Sequence, residues 1–315
     1  MQSFSGKKAV VTGGGSGMGR ELVVLLASEG CSVATCDVNP ASLAETARRA
    51  EAGATSGAKV TTHVCDVSDE SQVAGFRAEV LEAHGSPLNL LFNNAGIGGG
   101  GSFLTDPREE WERTFAVDWW GVYYCARAFV GDLVAADEAM LVNTSSVNGF
   151  WASIGPGMPH TAYSTAKFAV KGFTEALIED FRVNAPHVKV AVVMPGYIGT
   201  DIVANSRRYF GRPEPDKMGA DDLARAREQL AKRGVAPEQM SDEQLRGVVK
   251  AIEEGFPKRA PLDAAGAAKI ILDGVRAGRW RILVGEDAHL LDEQVRADPE
   301  AAYDHQGVGL DLLRP

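Results

Sequence analysis

The segment that most restricts the fold of this chain is Thr12-Gly13-Gly14-Gly15-Ser16-Gly17-Met18-Gly19. It lies between an apolar β-forming run, Lys7–Thr12, and a helix-period stretch, Gly17–Glu29. The geometry of such a junction demands glycine. Gly13 takes a tight turn, Gly17 lets the backbone approach an anion, and Gly19 lets the helix pack closely on the strand. Free amides at a helix start of this kind point at phosphate oxygens. A glycine-rich turn alone is a weak signal, so its meaning depends on its surroundings.

Those surroundings alternate. β-rich runs recur at Cys31–Asp37, Lys59–Cys65, Leu88–Asn93, Ala139–Thr144, Val188–Met194 and Trp280–Val284. Helix-period segments fit between them at Ala41–Ala52, Glu70–Ala83, Glu109–Ala136 and Ala162–Val183. Runs such as Ala9-Val10-Val11 are apolar on both sides of the pleat, as strands covered by helices on both faces are. The pattern predicts an α/β fold, a doubly wound parallel sheet of about seven strands with right-handed crossovers.

Between Met194 and Trp280 the alternation stops. Residues 201–261 read as a helical substrate lid or insertion, with two helix-like segments in Asp221–Glu254 divided by a breaker at Gly234–Pro237. The expectation is one domain, 1–315, ending in an acidic tail over 286–315.

A 45% hydrophobic and 23% charged composition allows one large core. The net charge of −10 opposes binding to nucleic-acid phosphates. Met1–Lys8 holds no apolar signal core, and no later run approaches the length of a bilayer span. A cytoplasmic protein without nucleic-acid or membrane partners is expected. Cys31, Cys36, Cys65 and Cys125 fall in predicted strands or a helix without metal-ligand spacing, so they are expected to be buried, reduced and inert, and no metal is expected.

Asp37 ends the second strand at about the interval where a dinucleotide fold sets an acid against the adenosine ribose. Its carboxylate would repel a 2′-phosphate. No Lys or Arg stands in the loop before Gly17, Val38 and Asn39 are uncharged, and Arg20, the nearby cation, lies inside the helix. NAD is therefore favoured over NADP.

Further marks follow in order: Cys65-Asp66-Val67, Asn93-Asn94-Ala95-Gly96, Ser146, Tyr163-Ser164-Thr165-Ala166-Lys167 and Pro195-Gly196. With them the chain resembles the short-chain dehydrogenase/reductase family, over roughly Ser5–Thr200 and again near Trp280. The resemblance implies a Rossmann-type fold and an NAD(H)-dependent oxidoreductase that interconverts a secondary alcohol and a ketone. It implies that Asp66 and Val67 meet the adenine, that Asn93, Ala95 and Gly96 line the cofactor cleft, and that Pro195, Gly196, Ile198 and Thr200 surround the nicotinamide and diphosphate. Gly13, Ser16, Gly17, Met18, Gly19, Asp37 and Val38 complete the expected cofactor contacts. Lys167 would also hold the nicotinamide ribose.

Tyr163 and Lys167 stand four apart on a predicted helix and project from one face. A phenol with a pKa of about 10 is a poor base at neutral pH. A neighbouring ammonium and an oxidised nicotinamide favour the phenolate, so the Tyr163 pKa is expected to fall and the residue to exchange the substrate proton. The resemblance implies that Ser146 hydrogen-bonds the substrate oxygen. Adjacent strand-end residues point opposite ways, so spacing alone does not separate Ser145 from Ser146, and the family alignment favours Ser146.

The chain departs from the family at Asp118, where an asparagine is usual; the expectation is that Asp118 remains functional and keeps Lys167 charged. The loop Val147–Ala162, broken by Gly155, Pro156, Gly157 and Pro159, is expected to form part of the substrate wall. Phe150, Trp151, Ile154 and Met158 beside it suggest a bulky apolar alcohol such as a steroid, terpenoid or lipid. His160 reads as a loop residue near the chemistry. The resemblance also implies a homodimer or homotetramer built through Glu109–Ala136 and Ala162–Val183. Two rival readings are an NADPH-dependent ketoacyl-type reductase, for which Asp37 is awkward, and a non-catalytic dinucleotide-binding regulator, which the retained Ser146, Tyr163 and Lys167 oppose.

Overall fold

A computed structural model describes residues 1–55, 57–155, 158–232 and 235–304. Its first half runs β1 (Lys8–Thr12), α1 (Gly17–Ser28), β2 (Ser32–Asp37), α2 (Pro40–Gly53), β3 (Val60–Val64), α3 (Glu70–His84) and β4 (Leu90–Asn93). There follow α4 (Arg108–Phe115), α5 (Gly121–Val134), β5 (Ala139–Thr144), α6 (Thr161–Asn184), β6 (Val188–Pro195) and β7 (Ile198–Gly199). The remainder is α7 (Ile202–Tyr209), α8 (Ala220–Lys232), α9 (Asp242–Arg259), β8 (Leu262–Asp263), α10 (Ala264–Arg276), β9 (Arg281–Val284) and α11 (Glu286–Ala297).

Seven strands pair in parallel in the order β3-β2-β1-β4-β5-β6-β9. The order reverses at β1, so the crevice for a ligand opens outside the carboxyl ends of β1 and β4. The strand pleat divides the core. Ala9 and Val11 of β1 join Leu22 and Leu26 of α1 and Ile271 and Leu272 of α10 on one face. Val10 joins Phe76 of α3 and Phe129 of α5 on the other. Helix starts follow local chemistry. Asn39 accepts from the Ser42 amide ahead of Pro40, and Asp69 accepts from the amides of Ser71 and Gln72.

Several sequence expectations change here. The helical region expected over Glu109–Ala136 is present, as α4 and α5 joined without a break by a π-helical turn at Ala116–Trp120. The alternation does not stop before β9, because α10 packs on α1, with Ala267, Ala268, Ile271, Leu272 and Val275 as its buried stripe. The acidic stretch from 286 is not simply a tail. It begins with α11, which buries Ala288, Leu291 and Val295. Residues 201–261 hold α7, α8 and α9, and Leu223, Leu230 and Leu245 give α8 and α9 a small core of their own. Of the positions named as breakers, Pro156, Gly157 and Gly234 lie outside the described residues, as does the chain beyond Asp304.

All four cysteines are buried and free. Burial pushes the Cys31 thiol up to about 12. No described helix is long and apolar enough to cross a membrane.

Candidate active site

The cleft at the carboxyl edge of the sheet has a volume of about 390 Å³. Gly13, Ser16, Gly17 and Met18 form its floor, Asp37 and Val38 one end, and Asp66, Val67, Ala95, Gly96 and Thr200 its walls. These are the residues the sequence assigned to a dinucleotide, brought together by five separate strand ends.

The glycines fit an anion-bearing ligand. Gly13 has φ +69, and a Cβ there would stand 2.7 Å from the Ala95 Cα. Gly17 has φ +52, and a Cβ there would approach Thr200 Cγ2 at 3.1 Å. A side chain at Gly19 would collide with the Gly13 carbonyl, so this glycine acts through helix packing and not through the cleft. Asp37 accepts from the Gly15 amide at 3.0 Å and from the Asn39 amide at 3.0 Å. Its carboxylate is thus held between loop and strand end. Arg20 donates to Thr46 Oγ1 and to the carbonyls of Gly15 and Ser42, which ties its guanidinium to backbone beneath the loop.

Helix α7 forms a wall that sequence reasoning missed. Ile202, Asn205, Arg208 and Tyr209 line the cleft. Asn205 Nδ2 donates to Ser16 Oγ at 2.9 Å, the Gly98 amide donates to Ser206 Oγ at 2.8 Å, and the Tyr209 hydroxyl donates to Asp66 Oδ2 at 3.2 Å. No motif marks these residues. The available signal was topological: a chain leaving the carboxyl end of β6 must pass over the crevice.

Beyond the cleft, α6 carries Tyr163 and Lys167. The Lys167 Nζ lies 5.3 Å from the Tyr163 ring centroid and donates to the Thr144 carbonyl at 3.3 Å. The two serines divide as the pleat requires. Ser145 Oγ donates to the Lys167 carbonyl at 2.7 Å and is spent on structure. Ser146 Oγ accepts from the Asn148 amide at 3.1 Å and interacts with the Tyr163 hydroxyl. His160 stacks on Tyr163, with ring centroids 4.6 Å apart and planes at 31°. Burial pushes the His160 pKa down to about 4, so the imidazole is neutral.

Asp118, on the π-helical turn, is fully buried. Its Oδ1 accepts from the Ile97 amide at 3.1 Å and lies 3.2 Å from Lys167 Nζ, while Oδ2 is buried without a hydrogen-bond partner among the described residues. Burial raises the carboxyl pKa to about 6 despite the opposing Lys167 charge. At Lys167 burial works against the ammonium, but Asp118 and Tyr163 outweigh it and the pKa rises. The expected fall at Tyr163 is not met. Burial raises its pKa, and the Asp118 charge adds to that, against the lowering by Lys167 and Ser146.

Some residues assigned to the cofactor lie off the cleft. Asn93 is buried and donates to Asn143 Oδ1 at 2.8 Å, bridging β4 to β5. Ile198 sits in the core, and Pro195 ends β6 beside Val284 of β9. Gly196 faces α11, where a side chain would collide with Asp287; that carboxylate accepts from the Tyr197 amide at 2.6 Å. Phe150 and Trp151 are also not free to form a substrate wall. They pack against α11 and Leu283, and Trp151 Nε1 donates to the Ala302 carbonyl at 2.8 Å. Ile154 and Met158 remain half-buried.

A parallel sheet in this order, with a glycine loop at its switch point and a Tyr-Lys pair nearby, defines a nicotinamide-dinucleotide oxidoreductase fold. The family model described as short chain dehydrogenase matches residues 7–209, and the chain belongs to that family. SadH of Mycobacterium tuberculosis, an oxidoreductase by assignment, is 34% identical over 297 residues, covering 94% of this chain and 92% of that protein. Levodione reductase of Leifsonia aquatica is 31% identical over 224 residues, covering 69% of this chain and 79% of that one. A solved short chain dehydrogenase/reductase from Burkholderia phymatum, in complex with NAD, superposes with TM-score 0.74 at 30% identity over 96% of this chain and 95% of that one. A metagenomic short-chain oxidoreductase in complex with NADP matches with TM-score 0.54 at 33% identity, covering 61% of this chain and 83% of that one.

Proposed function

We propose that the protein interconverts a secondary alcohol and its ketone with NAD(H), with Tyr163 exchanging the substrate proton. The observation that carries the reading is the convergence of Ser146, Tyr163 and Lys167 beside a cleft whose adenosine end is guarded by the Asp37 carboxylate. A bound nicotinamide dinucleotide supplies the hydride acceptor or donor.

In oxidation, Ser146 holds the substrate oxygen and the Tyr163 phenolate accepts its proton; in reduction Tyr163 returns it. Lys167, kept as an ammonium by Asp118, stabilises the phenolate and holds the nicotinamide ribose. Tyr163 and His160 are each half-buried, and the neutral imidazole lies against the phenol ring. For the cofactor, Asp37 favours free ribose hydroxyls, and Arg20 is already engaged by Thr46 and backbone carbonyls. A ring-bearing substrate is supported by two relatives, one named for levodione and one for a dichlorocyclohexadienediol.

The test is a panel of cyclic ketones and alcohols assayed with NAD(H) and NADP(H) in parallel. The expected outcome is turnover with NAD(H), weakened by Asp37→Arg, which should gain affinity for NADPH. A wild type that prefers NADPH overturns the cofactor assignment.

A further inference from the structure

The cleft has an uneven balance of charge. Two carboxylates, Asp37 and Asp66, stand on its wall, and among the described lining residues Arg208 is the single cation. A dinucleotide's diphosphate brings two negative charges to the start of α1. Backbone amides there offer partial positive charge, but the glycine loop has no basic side chain, and Arg20 is turned to the carbonyls of Gly15 and Ser42.

Arg208 is connected to that loop. Its Nη1 donates to Asn205 Oδ1 at 3.0 Å, and Asn205 Nδ2 in turn donates to Ser16 Oγ at 2.9 Å. Ser16 is the residue ahead of α1, yet its side chain makes no capping bond to the helix. The rest of the Arg208 fork is lightly held. Its one carboxylate contact among the described residues is Glu214, at 3.4 Å, and that residue binds Arg207 more closely, at 2.6 Å. The Arg208 side chain is 51% exposed, at the rim of the cleft.

We infer that Arg208 is the charge partner of the cofactor diphosphate, and that the Arg208, Asn205 and Ser16 chain, which already joins α7 to the phosphate loop, holds the guanidinium in reach of it. This rests on the nicotinamide-dinucleotide reading above. A guanidinium fork matches two phosphate oxygens, and such charge-assisted bonds exceed neutral ones in strength. The positive charge absent from the loop is thus supplied by the wall that closes over it.

Equilibrium titration by protein fluorescence, with NADH, NADPH and ADP-ribose at low and moderate salt, tests this without turnover. Arg208→Gln should weaken NADH and ADP-ribose alike, by about tenfold, and flatten the salt dependence. Arg208→Lys should restore part of the loss, and Asn205→Ala should weaken both ligands. Circular dichroism on each variant checks that this rim substitution leaves the fold intact. Unchanged affinities in Arg208→Gln overturn the inference. So does a loss confined to NADPH, which would set Arg208 against a 2′-phosphate. A wild type that binds neither dinucleotide nor ADP-ribose defeats the functional reading itself.

Discussion

Asp118 is the fully buried carboxylate that faces Lys167. A carboxylate with no access to water faces one ammonium and one backbone amide, and its second oxygen has no partner among the described residues. Its pKa of about 6 means that it is ionised at neutral pH, where its charge opposes the Tyr163 phenolate. Replacing it by Asn keeps an acceptor for Ile97 and removes that opposition, while the Thr144 carbonyl still holds the Lys167 ammonium. The pH midpoint for alcohol oxidation in Asp118→Asn should therefore move down, by about one unit. An unchanged midpoint, read from kcat/KM against pH, contradicts a charge role for Asp118, and a rise would place that role on the Lys167 ammonium instead of on Tyr163. Tyr163 and Lys167 were legible because four-residue spacing fixes their shared face. The Tyr163 pKa was not, because burial depends on residues brought in by distant segments.

At the scale of elements, the sheet and its first helices could be read from period and caps, and so could α10, whose Ala267, Ala268, Ile271, Leu272 and Val275 fall on one buried face; α7 and α11 carry no motif that marks them. The π-helical turn is equally hidden, since an extra residue in a helix leaves no mark in composition. Helix α11 matters most for the site, because it braces the loop after β5 through Trp151 and holds the Gly196 turn through Asp287. Trp151→Ala empties the centre of this contact and leaves the Ala302 carbonyl without its donor. The expected cost is about 3–5 kcal/mol of unfolding free energy, measured by denaturant titration, with earlier proteolytic cleavage near α11. A loss under about 1 kcal/mol would mean that α11 does not support the loop.

For the whole molecule, one parallel sheet gathers the cleft residues at its switch point, sets Tyr163 and Lys167 of α6 beyond them, and takes a further wall from α7 in the segment after β6. The motifs made the fold, the glycine loop and the Tyr-Lys pair readable. The cleft residues of α7 within the expected 201–261 insertion and the true placement of Phe150, Trp151 and Gly196 were not readable, because loops and helix packing set them. Chemistry at Tyr163 joins all of these parts, so one comparison tests the account most directly. Wild type and Tyr163→Phe are assayed for NADH-dependent ketone reduction, with NADH affinity measured in parallel. The expected result is a fall in kcat of at least about a hundredfold with NADH binding retained. An unchanged kcat in Tyr163→Phe would contradict it.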